Sequence, residues 1–257
     1  MGFHMQTVTP DIIRSLALFA GLSEREKDDL IQGGKNRRYA AGQPLFAHGD
    51  AIRNFYVVCE GTVQLFRETP DGHEMTAEVF IAGDAIGETE ILQLSPAHQF
   101  NAIAVKDSLL MEFPVVWLRD NIKRHNIIAL NLLGMLSRRN DVATLEAEHK
   151  ATMAAPQQVA CFLERLCILH DFDPHGFDLP YSKTLIASRL GMELETFSRA
   201  LAKIREHGIS VQGARVSFDD IEKMEAYVCA NCSIAGNCNE HDALRARLLK
   251  RKSIHAA

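Results

Sequence analysis

Ser182-Lys183-Thr184-Leu185-Ile186-Ala187-Ser188-Arg189-Leu190-Gly191-Met192-Glu193-Leu194-Glu195-Thr196-Phe197-Ser198-Arg199-Ala200-Leu201 reads as two short helices around a glycine turn. Ile186, Ala187 and Leu190 are spaced for burial, Gly191 takes the turn, and a second helix runs from Glu193 or Glu195 to Glu206. That is a helix-turn-helix pattern. After Gly208, Ile209-Ser210-Val211 and Arg215-Val216-Ser217-Phe218 flank Gln212-Gly213-Ala214, which predicts a small hairpin or wing. Before it, Pro156 suits the first turn of a helix, and Val159, Phe162, Leu163, Leu166 and Leu169 continue as a helical stripe. Between Tyr181 and Val216 six Lys or Arg face three acids, and between Asp242 and Ala257 five face one. The whole chain carries −5, so an acidic bulk bears a basic C-terminal third.

Moving toward the N-terminus, Ile128, Leu132, Met135 and Val142 recur at a period near 3.5 in a run, Val115 to Lys150, broken only by Gly134. One long amphipathic helix with a narrow stripe is expected, and such a stripe reads as a dimer seam, or alternatively as packing on the chain's own barrel. From Ser23 to Phe113 the pattern changes to short strands. Gly42, Gly49-Asp50, Glu60-Gly61, Pro70-Asp71-Gly72 and Ala82-Gly83-Asp84 punctuate it about every ten residues, the cadence of an all-β barrel or jelly roll. Phe55-Tyr56-Val57-Val58-Cys59 and Thr62-Val63-Gln64-Leu65-Phe66 are expected to form a hairpin across Glu60-Gly61. Thr9 to Gln32 is helical in pattern, with Ser23 and Glu26 spaced as a capping box.

Four segments follow: 1–114, a β-roll sensor domain with N-terminal helices; 115–150, the dimerisation helix; 151–220, a winged helix-turn-helix; and 221–257, a cysteine-containing extension. The fold class is α+β. At 257 residues with 47% hydrophobic and 24% charged residues the composition is that of a globular protein, and no apolar run is long enough to span a membrane. The N-terminus lacks a secretory signal pattern, so a cytoplasmic location is expected. Walker A, G-x-S-x-G, H-E-x-x-H and Rossmann signatures are all missing, which argues against an enzyme.

Leu18-Phe19-Ala20-Gly21-Leu22-Ser23, Gly42-Gln43-Pro44-Leu45-Phe46 with Gly49-Asp50, Phe55-Tyr56-Val57-Val58, Gly61-Thr62-Val63 and Gly83-Asp84-Ala85-Ile86-Gly87-Glu88 together resemble the CRP/FNR superfamily of bacterial transcription regulators, over about residues 14–220. The resemblance implies a cyclic-nucleotide-binding-type β roll, a long dimerisation helix and a winged helix-turn-helix. It also implies a homodimer on palindromic double-stranded DNA, in contact with RNA polymerase. Glu195-Thr196-Phe197-Ser198-Arg199 looks like the Glu-x-x-Ser-Arg pattern of the FNR-type branch, whose half-sites contain TTGA. Arg199 suits guanine O6/N7, Glu195 can accept from a cytosine amino group, and Ser198 can touch a base or a thymine methyl. Thr196 joins this DNA-facing set, and Ser182, Lys183 and Thr184 are placed to hold phosphates. In nucleotide-binding members an Arg after the Gly-Glu pair neutralises the cyclic phosphate. Pro96-Ala97-His98-Gln99-Phe100-Asn101 contains no Arg, so cyclic AMP is not the expected signal.

Three of the six cysteines crowd into Cys229-Ala230-Asn231-Cys232-Ser233-Ile234-Ala235-Gly236-Asn237-Cys238. This C-x2-C-x5-C spacing can gather thiolates on one metal centre. It is similar to the N-terminal cysteine motif of oxygen-sensing FNR-type regulators, displaced here beyond the DNA-binding domain. Some superfamily members complete a C-terminal cluster with an acidic ligand from the dimerisation helix, which makes Asp141, Glu146 and Glu148 candidates. A [4Fe–4S] cluster with a fourth ligand elsewhere is the first reading. Zinc is the second, with His241 closing a Cys3His tetrahedron, and reactive or merely free thiols are the third. Cys59, Cys161 and Cys167 read as buried and inert, with Cys161 or Cys167 as an alternative fourth ligand. Haem in the β roll is a further alternative, with His48, His73 or His98 as axial candidates.

Overall fold

A computed structural model describes residues 8–72, 74–87, 90, 97–239 and 242–246. The chain forms two compact units, Met1–Asp141 and Val142–Ala257. The first begins with α1 (Val8–Ser15) and α2 (Glu24–Ile31), joined through a 3-10 turn at Ala17–Phe19. Ser23 caps α2 with the expected box: its hydroxyl accepts from the Glu26 N–H, and the Glu26 carboxylate accepts from the Ser23 N–H at 2.8 Å. The roll follows as β1 (Lys35–Tyr39), β2 (Pro44–Phe46), β3 (Asn54–Glu68), β4 (Glu74–Ile81), β5 (Ala85–Ile86) and β6 (Asn101–Pro114). The sheet order is β1-β6-β3-β4, with β2 on β6 and β5 on β3.

Burial on both faces explains the apolar runs Phe55–Cys59 of β3 and Leu109–Met111 of β6. Phe55, Val57 and Cys59, with Leu109, Met111 and Phe113, face a core shared with Ile13, Leu18, Phe19 and Leu30 of the N-terminal segment. Tyr56, Val58 and Leu110 face the inside of the roll, with Phe46, Val63 and Ile86. Side chains of a strand alternate between faces, and both faces here are covered.

The expected hairpin at Glu60-Gly61 does not form. β3 is one strand of fifteen residues that stays paired with β6, and its register slips near Val58, Glu60 and Thr62. Gly61 does adopt positive φ, at 99°, but as a bulge. A Cβ there would stand 2.6 Å from the Ser108 Cα. Gly61→Ala is therefore expected to destabilise the roll by on the order of 3 kcal/mol, read as a lower denaturant midpoint; an unchanged midpoint would contradict this account of the bulge.

The long helix is also two helices, α3 (Val115–Arg124) and α4 (Asn126–Thr152), broken at His125 with φ −128° and ψ 89°. Within the first unit, Asn131 donates to the carbonyls of Leu18 and Ala20 at 3.0 and 2.8 Å, tying α4 to the N-terminal turn. This corrects the expected seam. Ile128 and Leu132 are 0% and 1% exposed inside the chain's own core, and Met135 packs on its edge. Val142 is half-buried. Ile128 and Leu132 of the expected seam are used up inside the chain, because apolar periodicity does not distinguish an internal core from an intermolecular one, while Met135 and Val142 keep part of their surface. Leu130 and Leu133, three apart, are instead 63% and 57% exposed.

The second unit contains the end of α4 and then α5 (Ala155–Leu169), β7 (Phe177–Asp178), α6 (Lys183–Leu190), α7 (Leu194–Ile204), β8 (Ile209–Gln212), β9 (Arg215–Phe218) and α8 (Ile221–Val228). Pro156 sits in the first turn of α5. Gly191 ends α6 in the left-handed conformation that lets the chain turn into α7. The wing is a three-stranded sheet, β7-β9-β8. One core joins Val159, Leu163, Ile186, Phe197, Ile204, Ile209 and Val216, and it also takes in Met224, Val228 and Leu244 from beyond the wing. The C-terminal segment is thus partly built into the second unit. Among the described residues no helix is long and apolar enough to cross a membrane.

Candidate functional site

α7 buries Phe197, Ala200 and Ile204, an i, i+3, i+7 set that turns its other face outward. That outward face carries Glu195, Ser198 and Arg199, all exposed, with Thr196 half-buried beside them. The Arg199 side chain is 71% exposed and its guanidinium lies 3.6 Å from Glu195, with a 3.5 Å hydrogen bond to the Thr196 hydroxyl. Such an exposed pair holds its side chains weakly, so Arg199 can exchange it for a base edge. On α6, the Ser182 oxygen caps the helix by accepting from the Leu185 N–H at 3.2 Å. Its own O–H remains able to donate to a phosphate. Thr184 is exposed and Lys183 half-buried on the same turn.

The extension places Cys229, Cys232 and Cys238 on the wall of one cavity. The wall also carries Cys161 and Arg165 of α5, His149 of α4 and the apolar side chains of Leu145, Met153 and Val228. None of the six cysteines is in a disulfide. His149 lies between two of them, with Nε2 3.5 Å from the Cys232 sulfur and Nδ1 3.8 Å from the Cys161 sulfur. Burial, and then the nearby Arg165, push the His149 pKa down, which keeps the ring neutral. Burial pushes the Cys161 thiol up. The loop is fastened to the end of α4: Glu148 accepts from the Ser233 N–H at 2.8 Å and from its hydroxyl at 2.6 Å, and Asn231 pairs with Thr152. Gln157 donates to the Tyr227 carbonyl at 2.8 Å, which holds the start of α5 to α8.

The acidic donors expected from α4 go elsewhere. Glu148 is committed to Ser233, and Ser233 holds its carboxyl below the usual range. Glu146 is held by Arg165, and by Arg189 of α6 at 3.0 and 3.1 Å. Asp141 is exposed and is not among the residues lining the cavity. His241 lies outside the described residues. Cys167 faces the core and donates to the Phe172 carbonyl, and Cys59 is buried in the roll. Among the described residues no three His, Cys, Asp or Glu side chains already stand in a geometry that grips an ion. The donor set still fits a thiolate-bound metal centre. Arg165 Nη1 is buried with no hydrogen-bond partner among the described residues, and an unused cationic donor beside a cysteine cavity suits an anionic thiolate group.

In the roll, His98 is buried, stacked on Phe46 with ring centroids 3.6 Å apart, and its Nδ1 is 2.6 Å from a carboxylate oxygen of buried Glu90. His48 is exposed. Glu88 and His73 lie outside the described residues. Sequence reasoning passed over His149 and Arg165, and read Cys161 as inert first and as an alternative fourth ligand second. A signal existed: Cys161 and Arg165, four apart, lie off the apolar stripe of α5 and share its flank.

A β roll followed by a winged helix-turn-helix with an exposed second helix defines a DNA-binding transcription regulator, and the comparisons agree. A cyclic nucleotide-binding domain matches residues 36–125 and a Crp-like helix-turn-helix domain matches residues 157–227. The chain is 32% identical to the cyclic AMP receptor protein of Thermus thermophilus over 193 residues, covering 75% of this chain and 87% of that one. It is 28% identical to the nitrogen fixation regulation protein FixK of Bradyrhizobium diazoefficiens over 230 residues, covering 85% and 92%. The solved structure of a regulatory protein from Silicibacter pomeroyi superposes with a TM-score of 0.58 at 30% identity, over 86% of this chain and 98% of that one. The chain belongs to the CRP/FNR family of transcription regulators. These relatives are regulators and not enzymes.

Proposed function

We propose that the protein acts as a homodimer on a palindromic duplex with TTGA-containing half-sites, and that a metal centre on Cys229, Cys232 and Cys238 makes its DNA affinity depend on oxygen, nitric oxide or redox state. The observation that carries this reading is the gathering of these cysteines, in the same compact unit as the exposed face of α7, around a cavity walled by Arg165, one of whose nitrogens is buried with no hydrogen-bond partner among the described residues. A [4Fe–4S] cluster is the proposed group, and when bound it supplies an inorganic centre that oxidants attack. The protein's own residues provide the connection to DNA. Arg165, on the wall of the cysteine cavity, grips Glu146, and Glu146 grips Arg189 on α6, the helix that precedes the recognition helix. Any movement of α5 at the cavity is felt at α6 through one shared carboxylate. RNA polymerase is the proposed partner at the promoter. The stretch from Pro96 to Asn101 holds no Arg to neutralise a cyclic phosphate, which supports a signal other than cyclic AMP.

Two measurements test the two halves. Arg199→Ala should weaken binding to a TTGA-containing palindrome by roughly 1–3 kcal/mol and relax selectivity at one base position, as read by fluorescence anisotropy on a set of substituted duplexes. Unchanged affinity and selectivity would remove Arg199 from the readout. Protein isolated without air should be brown and contain iron and sulfide; a colourless protein with stoichiometric zinc would remove the sensing half.

A further inference from the structure

We propose that Cys161 of α5 is the fourth ligand of the C-terminal metal centre, making it an all-thiolate site of Cys161, Cys229, Cys232 and Cys238 with no acidic ligand from α4. The inference rests on the metal-centre reading above and specifies its ligand set. Cys161 lines the same cavity as the three clustered cysteines. It shares His149 with one of them, since the imidazole stands between the Cys161 and Cys232 sulfurs at 3.8 and 3.5 Å.

Other donors are less suited. Glu146 is held by two arginines and Glu148 by Ser233. Asp141 does not line the cavity. Glu164 and His149 do line it, but a carboxylate is a hard ligand beside three soft ones, and a neutral His149, with a nitrogen toward each of two sulfurs, has one N–H to donate to a metal-bound thiolate. Cys161 repeats the chemistry of the other three. Only a thiolate binds the metal, so uptake breaks the Cys161 S–H bond, releases the proton to solvent and leaves the electron pair on sulfur for the metal. The Arg165 guanidinium, one helical turn along α5, offers the positive charge that a fourth thiolate needs.

The test is anaerobic reconstitution of the full chain with ferrous iron and sulfide, reading iron and sulfide per chain, the visible spectrum and the EPR signal. Cys161→Ser is expected to lose most of its iron, as Cys229→Ser does, while Asp141→Ala and Glu164→Gln keep the wild-type stoichiometry. Wild-type iron content in Cys161→Ser, with Cys229→Ser empty, overturns the role of Cys161 and leaves the metal-centre reading standing. Loss confined to Asp141→Ala, Glu164→Gln or His149→Gln moves the fourth ligand and overturns it as well. A wild-type chain that takes up no metal defeats both readings. Thermal melting of metal-free Cys161→Ser checks that α5 is intact. If it melts early, cobalt(II) alone is titrated into the wild-type chain, and the sulfur-to-cobalt absorption counts the thiolates: four are expected, and three overturn the proposal.

Discussion

Glu146→Ala is expected to destabilise the DNA-reading unit by about 3–5 kcal/mol, because it leaves two largely buried arginines without their shared anion. The side chains of Arg165 and Arg189 are only 10% and 11% exposed, and both point nitrogens at the Glu146 carboxylate. Arg165 already has one buried nitrogen with no hydrogen-bond partner among the described residues, so removal of Glu146 compounds an existing deficit. Urea unfolding should give a clearly lower midpoint. Replacing Arg189 alone should cost less, since Arg165 then keeps the carboxylate. A Glu146→Ala chain as stable as wild type would mean that the triad holds nothing together, and the proposed link between the cavity and α6 would go with it.

The second large effect separates the two faces of α4. Leu132→Ala should cost about 3 kcal/mol of stability through the cavity it leaves in the core, since Leu132 is buried within its own chain. Leu133→Asp should leave unfolding nearly unchanged, because that side chain is exposed, yet shift the protein toward monomer in equilibrium sedimentation. The reverse pattern, with Leu132→Ala dissociating a dimer and leaving the chain's stability intact, would restore the seam read from periodicity.

These faces show what the sequence could and could not convey. Local chemistry was legible: Gly191 at a left-handed turn, Ser23 with Glu26 at a helix start, and Ile186 and Ala187 buried on α6 all act as their spacing implied. Gly61 was half legible. Its positive φ could be foreseen, but a turn and a bulge demand the same φ, and only the pairing of β3 with β6 decides between them. The stripe at Ile128 and Leu132 marked a buried face without saying whose core buried it. The cavity was least legible, because Cys161, His149 and Arg165 are separated from Cys229 by more than sixty residues, and no periodicity links side chains that meet only through tertiary packing. Three cysteines close together in sequence announced themselves, whereas nothing in the sequence chose between Cys161 and Cys167, and only packing puts Cys161 on the same cavity.

The most direct measurement is the affinity for one TTGA-containing palindromic duplex, taken by anisotropy on protein isolated without air and again on the same preparation after its iron is removed by chelation. Affinity that changes at least several-fold between the two forms, with two chains bound per duplex, is the predicted result. Equal affinity in both forms, or binding as a single chain, would contradict it.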